Sequence, residues 1–289
     1  MQVITAISEL RSVIRAARVK QPALQVGFVP TMGFLHEGHA SLLKAARDQC
    51  ELVVLSIFVN PLQFGPNEDF ERYPRDEKRD LAIAAEAGTD IVFMPQVAEM
   101  YPSPIRTTVS VSEVTRRLCG ASRPGHFDGV ATVVTKLLNM VQPDYAYFGM
   151  KDAQQVAVIE QMVQDLNIPV HIVACPTLRE ADGLAKSSRN VYLNEEQRAQ
   201  AVQLSAALRK ARSAVEESWR HLTPREVEEQ VREEIARAPL ADIDYVEVLD
   251  YPSLQTIDTF VSSRRVIIAV AVKFGNTRLI DNVVIPIQS

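Results

Sequence analysis

The stretch LQVGFVPTMGFLHEGHASLLKAARDQCELVVLSIFV, residues 24–59, holds a strand, a helix and a second strand in that order. Its two ends, 24–29 and 52–59, are short apolar runs rich in Val, Leu and Ile, while Leu42, Leu43 and Ala46 between them recur at helical spacing. Strands apolar on both faces need cover on both faces, and a helical crossover makes consecutive strands parallel. The same alternation extends outward to strands at 2–4, 90–93, 145–148 and 170–174. Helical segments lie between them: Ile7, Leu10, Val13, Ile14 and Ala17 form one stripe, and further helices are expected over 76–87, 130–140 and 153–167. This pattern predicts an α/β fold with a Rossmann-like, doubly wound parallel sheet. Past residue 182 it changes to long polar helices over 195–220 and 224–237, then strands near 243–249, 266–272 and 278–285. A division into a larger domain, 1–182, and a smaller α+β domain, 183–289, is the expectation.

Composition narrows the function. The chain has 289 residues, 47% of them apolar and 23% charged, with 31 Lys+Arg against 36 Asp+Glu and a net charge of −5. Disorder, collagen and a secreted disulfide scaffold are excluded by those values. A mildly acidic chain lacks the broad positive field of a nucleic-acid binder, so a small molecule is the expected partner. Cys50, Cys119 and Cys175 are too far apart for a metal-ligand spacing or a disulfide framework, which points to a reducing, cytoplasmic setting. Glu9 and Arg11 interrupt what an export signal would need as an apolar stretch, and no apolar run approaches the roughly 20 residues of a membrane span.

In doubly wound sheets ligands bind beyond the carboxyl ends of the strands, which directs attention to the loops after residues 29, 59, 148 and 174. The first, PTMGFLHEGH at 30–39, places His36 and His39 at the start of a helix, where backbone N–H groups and the helix dipole favour an anion. A zinc site of the His-Glu-x-x-His kind fails because the second His comes one residue early, and neither a Walker loop nor G-x-G-x-x-G is present. The second loop offers Asn60, Gln63 and Tyr73; a later one offers Arg123 and His126 ahead of a helix. Gly149, Lys151 and Asp152 follow the strand at 145–148. A lysine at a helix N-terminus is disfavoured by the dipole by about 0.3–1 kcal/mol unless an anion arrives, and Gln155 lies one turn further on. Asp152 reads either as a helix cap or as part of a binding site. Lys186, Ser187, Ser188 and Arg189 lie where the pattern changes, as a clamp of hydroxyls and a bidentate guanidinium would.

PTMGFLHEGH and KSSRN resemble the HIGH and KMSKS signatures of the nucleotidyltransferase superfamily that includes class I aminoacyl-tRNA synthetases. Seven segments in order, PTMGxLHxGH, SIFVNPxQF, RYPR, GASRPGHFxGV, FGxKDxQQ, DGLAxSSRN and RLIDN, are similar to the pantoate–beta-alanine ligase (pantothenate synthetase) family. The resemblance implies that pantoate reacts with ATP to give enzyme-bound pantoyl adenylate and pyrophosphate, and that beta-alanine then displaces AMP to form pantothenate. It implies an ATP site made of Pro30, Thr31, Met32, Gly33, Phe34, Leu35, His36, Glu37, His39, Gly149, Met150, Lys151, Asp152, Lys186, Ser187, Ser188 and Arg189. Within it, His36 would act as proton donor and Lys151 would stabilise the α-phosphate at the transition state. Asn60, Gln63 and Gln155 would bind pantoate, since carboxamides orient a carboxylate without neutralising it. Mg²⁺ is implied with ATP, with no assigned protein ligand and Asp80 a weak candidate; a homodimer is implied as well.

Two positions depart from many members that this chain resembles. Met150 stands where an acidic residue is common, and Lys186 stands where an apolar one is common, which places an extra cation either near the triphosphate or in solvent. Three other readings compete. Transfer of AMP to a phosphate acceptor would need cations where Asn60, Gln63 and Gln155 stand. A non-catalytic nucleotide sensor would have no use for His36, Lys151 and Arg189 together, and a zinc hydrolase would copurify with one equivalent of metal.

Overall fold

The computed structural model describes residues 1–65 and 70–287. In chain order the elements are β1 (Gln2–Ile4), α1 (Ile7–Lys20), β2 (Val26–Thr31), α2 (Glu37–Gln49), β3 (Leu52–Ile57), α3 (Glu77–Glu86), β4 (Ile91–Phe93) and α4 (Val97–Met100). There follow α5 (Cys119–Ser122), α6 (His126–Val141), β5 (Tyr145–Gly149), α7 (Ala153–Asp165) and β6 (His171–Cys175). The C-terminal part contributes α8 (Glu195–Ala201), α9 (Gln203–Ser218), α10 (Pro224–Ile235), β7 (Ala241–Asp250), β8 (Arg265–Phe274) and β9 (Thr277–Pro286). No helix of the described residues is long and apolar enough to cross a membrane.

Strands β1 to β6 form one parallel sheet in the order β1-β4-β3-β2-β5-β6. Both of its faces are apolar, as the runs at 24–29 and 52–59 require. On one face Val29, Val53, Leu55, Val92 and Tyr147 pack with Leu42, Leu43 and Ala46 of α2 and Ala84 of α3. Side chains alternate along a strand, so Phe28, Val54, Phe93 and Ala146 point to the other face, and all four are fully buried. Each fully buried Val or Phe side chain stabilises the fold by about 1.5–3 kcal/mol. The chain winds from β2 through β3 to β4 on one side, then returns to place β5 on the other side of β2. The strand order therefore reverses between β2 and β5.

The three C-terminal strands make a separate antiparallel sheet, β7-β8-β9. Val266, Ile268, Val270 and Val272 of β8 share a core with Leu204, Leu208 and Val215 of α9 and Val227, Val231 and Ile235 of α10. α10 starts on Thr223, whose side chain accepts from the Glu226 N–H while Glu226 reaches back to the Thr223 N–H, with Pro224 at the first helical position.

The chain divides into two compact units. One comprises 1–111, 123–150 and 158–176; the other comprises 112–122, 151–157 and 177–289. Two consecutive segments meeting at 182/183 are therefore not how the chain is partitioned. The C-terminal segment of the second unit begins at 177, six residues earlier, and that unit also takes two insertions from the first half, one of which holds Lys151 and Gln155. Helix boundaries differ too. α6 begins at His126 rather than near 130, because Gly125 takes the left-handed conformation (φ 80°) that lets the chain turn into the helix. The helix expected over 195–220 is two, with Val202 between them.

Candidate active site

The loop after β2 is shaped by a single buried carboxylate. Asp80 of α3 is 2% exposed, and its two oxygens accept from the backbone N–H groups of Phe34 (2.8 Å) and Leu35 (2.6 Å). Desolvation pushes its pKa above the ordinary value, partly offset by those two hydrogen bonds. Asp80 is thus the anchor of the loop, and both of its oxygens are engaged by protein. Thr31 adds a second tie, donating to the Ser56 carbonyl (2.8 Å) and accepting from the Gly33 N–H (3.2 Å). Gly33 has φ 84°, and a methyl there would lie 2.9 Å from Ile57 Cγ2 and 3.0 Å from Asp80. Only glycine fits the turn. The Arg79 guanidinium lies 5.1 Å over the Phe34 ring.

His36 caps α2. Its Nδ1 accepts from the Gly38 N–H (3.1 Å), and its own N–H is directed at Nδ1 of His39 (3.3 Å). A neutral imidazole that accepts at Nδ1 carries its proton on Nε2. The capping arrangement therefore presents two Nε2–H donors at the positive end of a helix, on rings whose centroids are 4.1 Å apart. N–H donors at the start of a helix are chemically suited to an anion.

Beyond β3, Pro61–Gln63 form a tight helical turn. Asn60, 1% exposed, donates to the Gly129 carbonyl (3.1 Å) and to Gln63 Oε1 (3.2 Å), and its own oxygen accepts from the Tyr101 hydroxyl (2.8 Å). Burial raises the Tyr101 pKa, so this hydroxyl stays a donor through neutral pH. Gln63 Nε2 lies 3.2 Å from the sulfur of Met32, bringing the two loops together. The Gln63 carbonyl accepts from Arg123 (3.3 Å) and from His126 Nδ1 (2.8 Å). A carbonyl only accepts, so His126 carries its proton on Nδ1, and its Nε2 accepts from Arg123 (3.1 Å). Arg123 and His126, read in the sequence as residues ahead of a helix, support the Gln63 backbone.

Pro30, Thr31, Met32, Gly33, Phe34, Leu35, His36, Glu37 and His39 thus stand at the carboxyl end of β2, and Asn60 and Gln63 beyond that of β3. Gly149 ends β5, the other neighbour of β2, and Met150 follows it. These residues belong to the first unit.

The remaining expected residues belong to the second unit. Lys151 and Asp152 complete a short helical turn with Met150, and their charged groups are 3.7 Å apart. The Lys151 carbonyl accepts from Asn282 Nδ2 (2.8 Å). Gln155 sits half-buried in the first turn of α7, next to buried Gln154, whose amide donates to the Val114 and Arg117 carbonyls. Residues 179–185 form a hairpin closed by an Arg179–Ala185 bridge. Arg179 is held on both nitrogens by Asp281 (2.6 and 2.9 Å). Lys186 extends to Glu180 of the same hairpin (3.0 Å). Ser187 caps the short turn Ser188–Tyr192, accepting from the Arg189 N–H (3.3 Å). Among the described residues no group of three or more His, Cys, Asp or Glu is placed to hold a metal ion.

Tyr101, Gly129, Arg179, Asp281 and Asn282 are supporting residues that a reading of the sequence does not assign, and Asp80, a weak Mg²⁺ candidate in that reading, supports the loop through its two backbone hydrogen bonds. RLIDN was legible as a motif, without a role; Tyr101 gave no signal.

The family model described as pantoate-beta-alanine ligase matches residues 2–284. A pantothenate synthetase of Pelotomaculum thermopropionicum is 52% identical over 285 residues, covering 99% of each chain. One of Geobacillus kaustophilus is 54% identical over 285 residues, covering 99% of this chain and 93% of its own. The crystal structure of the Thermus thermophilus pantothenate synthetase aligns with a TM-score of 0.90 at 44% identity, over 98% of this chain and 99% of that one. A Francisella tularensis pantoate-beta-alanine ligase, described as complexed with beta-gamma ATP and beta-alanine, aligns with a TM-score of 0.78 at 35% identity, over 98% and 97%.

Proposed function

The chain belongs to the pantoate–beta-alanine ligase family, and from that premise we propose that it makes pantothenate in two steps through a bound pantoyl adenylate. In the first, a carboxylate oxygen of pantoate attacks the α-phosphorus of ATP. The bond to the α–β bridging oxygen breaks, and pyrophosphate leaves. In the second, the amine nitrogen of beta-alanine attacks the acyl carbon, the bond from that carbon to the phosphate oxygen of AMP breaks, and the amine proton goes to solvent.

The observation that carries this reading is the pair of Nε2–H donors that the capping of α2 fixes at the carboxyl end of β2, beside the point where the strand order reverses. The backbone of residues 30–37, with Gly149 and Met150, cradles ATP. His36 donates to the departing pyrophosphate as negative charge gathers there, and His39 holds a neighbouring phosphate oxygen. Asn60 and Gln63 orient pantoate, and their carboxamides leave its carboxylate nucleophilic.

Motif correspondence gives Lys151 to the α-phosphate, Asp152 to the nucleotide, Gln155 to pantoate, and Ser187, Ser188 and Arg189 to the β- and γ-phosphates. Lys186, drawn to Glu180, contributes its backbone there. Mg²⁺ arrives with ATP, held by phosphate oxygens and water, and no protein ligand is assigned to it. A homodimer in the cytoplasm completes the proposal.

Pyrophosphate release from ATP and Mg²⁺ tests it, with D-pantoate present, before and after beta-alanine is added. Release should require pantoate, turn over only with beta-alanine, and fall by roughly 10²–10³ in Lys151→Ala, the loss of one oxyanion-type contact. Silence of the wild type with pantoate refutes the substrate assignment.

A further inference from the structure

Asp281 and Asn282 are consecutive residues of β9, paired with Val270 and Ala269 of β8. Consecutive strand residues project to opposite faces. Asp281 shares the face of Val270, whose side chain lies in the helix-covered core, and there it grips Arg179 of the 179–185 hairpin, from which residues 186–189 continue. Its Oδ1 also accepts from the Asn282 N–H (2.8 Å). Asn282, 8% exposed, points the other way and donates to the Lys151 carbonyl (2.8 Å). All of these groups lie within the second unit. One dipeptide thus ties together two segments that are far apart in sequence, the turn carrying Lys151 and the hairpin leading into Lys186–Arg189.

We infer that Asn282 is a positioning residue for Lys151: its carboxamide fixes the backbone from which the lysine projects, in register with the hairpin that Asp281 holds. This rests on the adenylation reading for the consequence at the phosphate, but not for the positioning itself. Lys151 reaches only as accurately as its Cα is placed. Its segment is a three-residue turn that leads directly into α7, and the Asn282 carboxamide on its carbonyl fixes that turn from the side of β9. Displacement of a reacting group by about 1 Å costs on the order of 10²-fold in rate.

The test is Asn282→Ala in the full-length enzyme, alone and combined with Lys151→Ala, with pantoate-dependent exchange of labelled pyrophosphate into ATP and amide hydrogen exchange as readouts. Asn282→Ala should lower the exchange rate constant by roughly tenfold to a hundredfold with the KM for pantoate little changed. In the Lys151→Ala background it should cost nothing further, because the residue acts through Lys151. Amides of 150–153 should exchange faster while those of β8 and β9 keep their protection. Equal rates for wild type and Asn282→Ala, or an undiminished loss in the Lys151→Ala background, overturn the inference. So does faster hydrogen exchange throughout β8 and β9, the mark of general destabilisation. A wild type silent with pantoate refutes the adenylation reading instead, and the hydrogen exchange of 150–153 still decides the positioning.

Discussion

Gly129 is the position at which one methyl group should separate pantoate binding from ATP binding. It lies on α6 where the Pro61–Gln63 turn rests on the helix. A Cβ there would sit 2.5 Å from the Leu62 carbonyl carbon and 2.7 Å from Gln63 Cα, and closer still to the Leu62 carbonyl oxygen. Ordinary contact begins near 3.4 Å, so the turn must retreat by about 1 Å. The obstruction is backbone and cannot rotate away. Such overpacking costs about 1–3 kcal/mol of stability. The same retreat draws Gln63 from its place, loosens the Asn60 bond to the Gly129 carbonyl, and disturbs the Arg123 and His126 contacts to the Gln63 carbonyl. Gly129→Ala should therefore raise the KM for pantoate at least tenfold and lower kcat on the order of 10²-fold. The KM for ATP should change much less, because the 30–39 loop is fastened by Asp80 and Thr31 and meets the turn through the Met32 sulfur at Gln63 Nε2. Pantoate and ATP saturation curves for pyrophosphate release, with a thermal melt of the same variant, check this. An unchanged pantoate curve would refute the claim that the Pro61–Gln63 turn is positioned by its contact with α6.

Two further substitutions probe the supports of the site. Asp80→Asn sets an amide NH₂ against one of the Phe34 and Leu35 N–H groups, so it should cost about 1–3 kcal/mol and weaken ATP binding, measured by denaturant melts and nucleotide titration. It should also alter the pH dependence. A carboxyl whose folded pKa lies above its unfolded value binds its proton more tightly in the native state, so its contribution to stability falls as pH rises from about the ordinary value of 3.8 through the raised one. That component should vanish from a melting series across the window in Asp80→Asn, and its persistence would mean that another group is responsible. Tyr101→Phe deprives the buried Asn60 oxygen of its 2.8 Å donor; it should cost about 1–3 kcal/mol and raise the KM for pantoate, whereas a variant equal to wild type in both would show that Asn60 is fixed without it.

What the sequence made legible is what repeats at short range. Strand and helix periods in 24–59 disclosed the parallel sheet, because Val29, Val53 and Leu55 face one helical layer while Phe28 and Val54 face the other. Strand ends then located the loops carrying His36, Asn60, Gln63 and Gly149. The partition of the chain escaped, since residues 151–157 follow β5 without a break in pattern yet are held within the second unit by partners such as Asn282 and the 112–122 segment. Nothing in the periodicity of α7 announces that its first turn and its last belong to different units.

The supports were hidden for a physical reason. Asp80 reaches Phe34 across 46 positions, Tyr101 reaches Asn60 across 41, Arg179 reaches Asp281 across 102, and Asn282 reaches Lys151 across 131. Spacing rules read neighbours three or four residues apart; these bonds exist only after the chain has folded. Each also joins a buried side chain to groups that could not be left unpaired without a penalty of about 1–3 kcal/mol, more where charge is involved. A group that reacts with substrate need only be present in the right loop, and its residue type betrays it. A group that holds the loop betrays itself only through its partner. Hence residue types such as His and Lys draw attention from sequence alone, while the hold of Asp80, by type no more than a weak metal candidate, on the Phe34 and Leu35 N–H groups shows only in the fold.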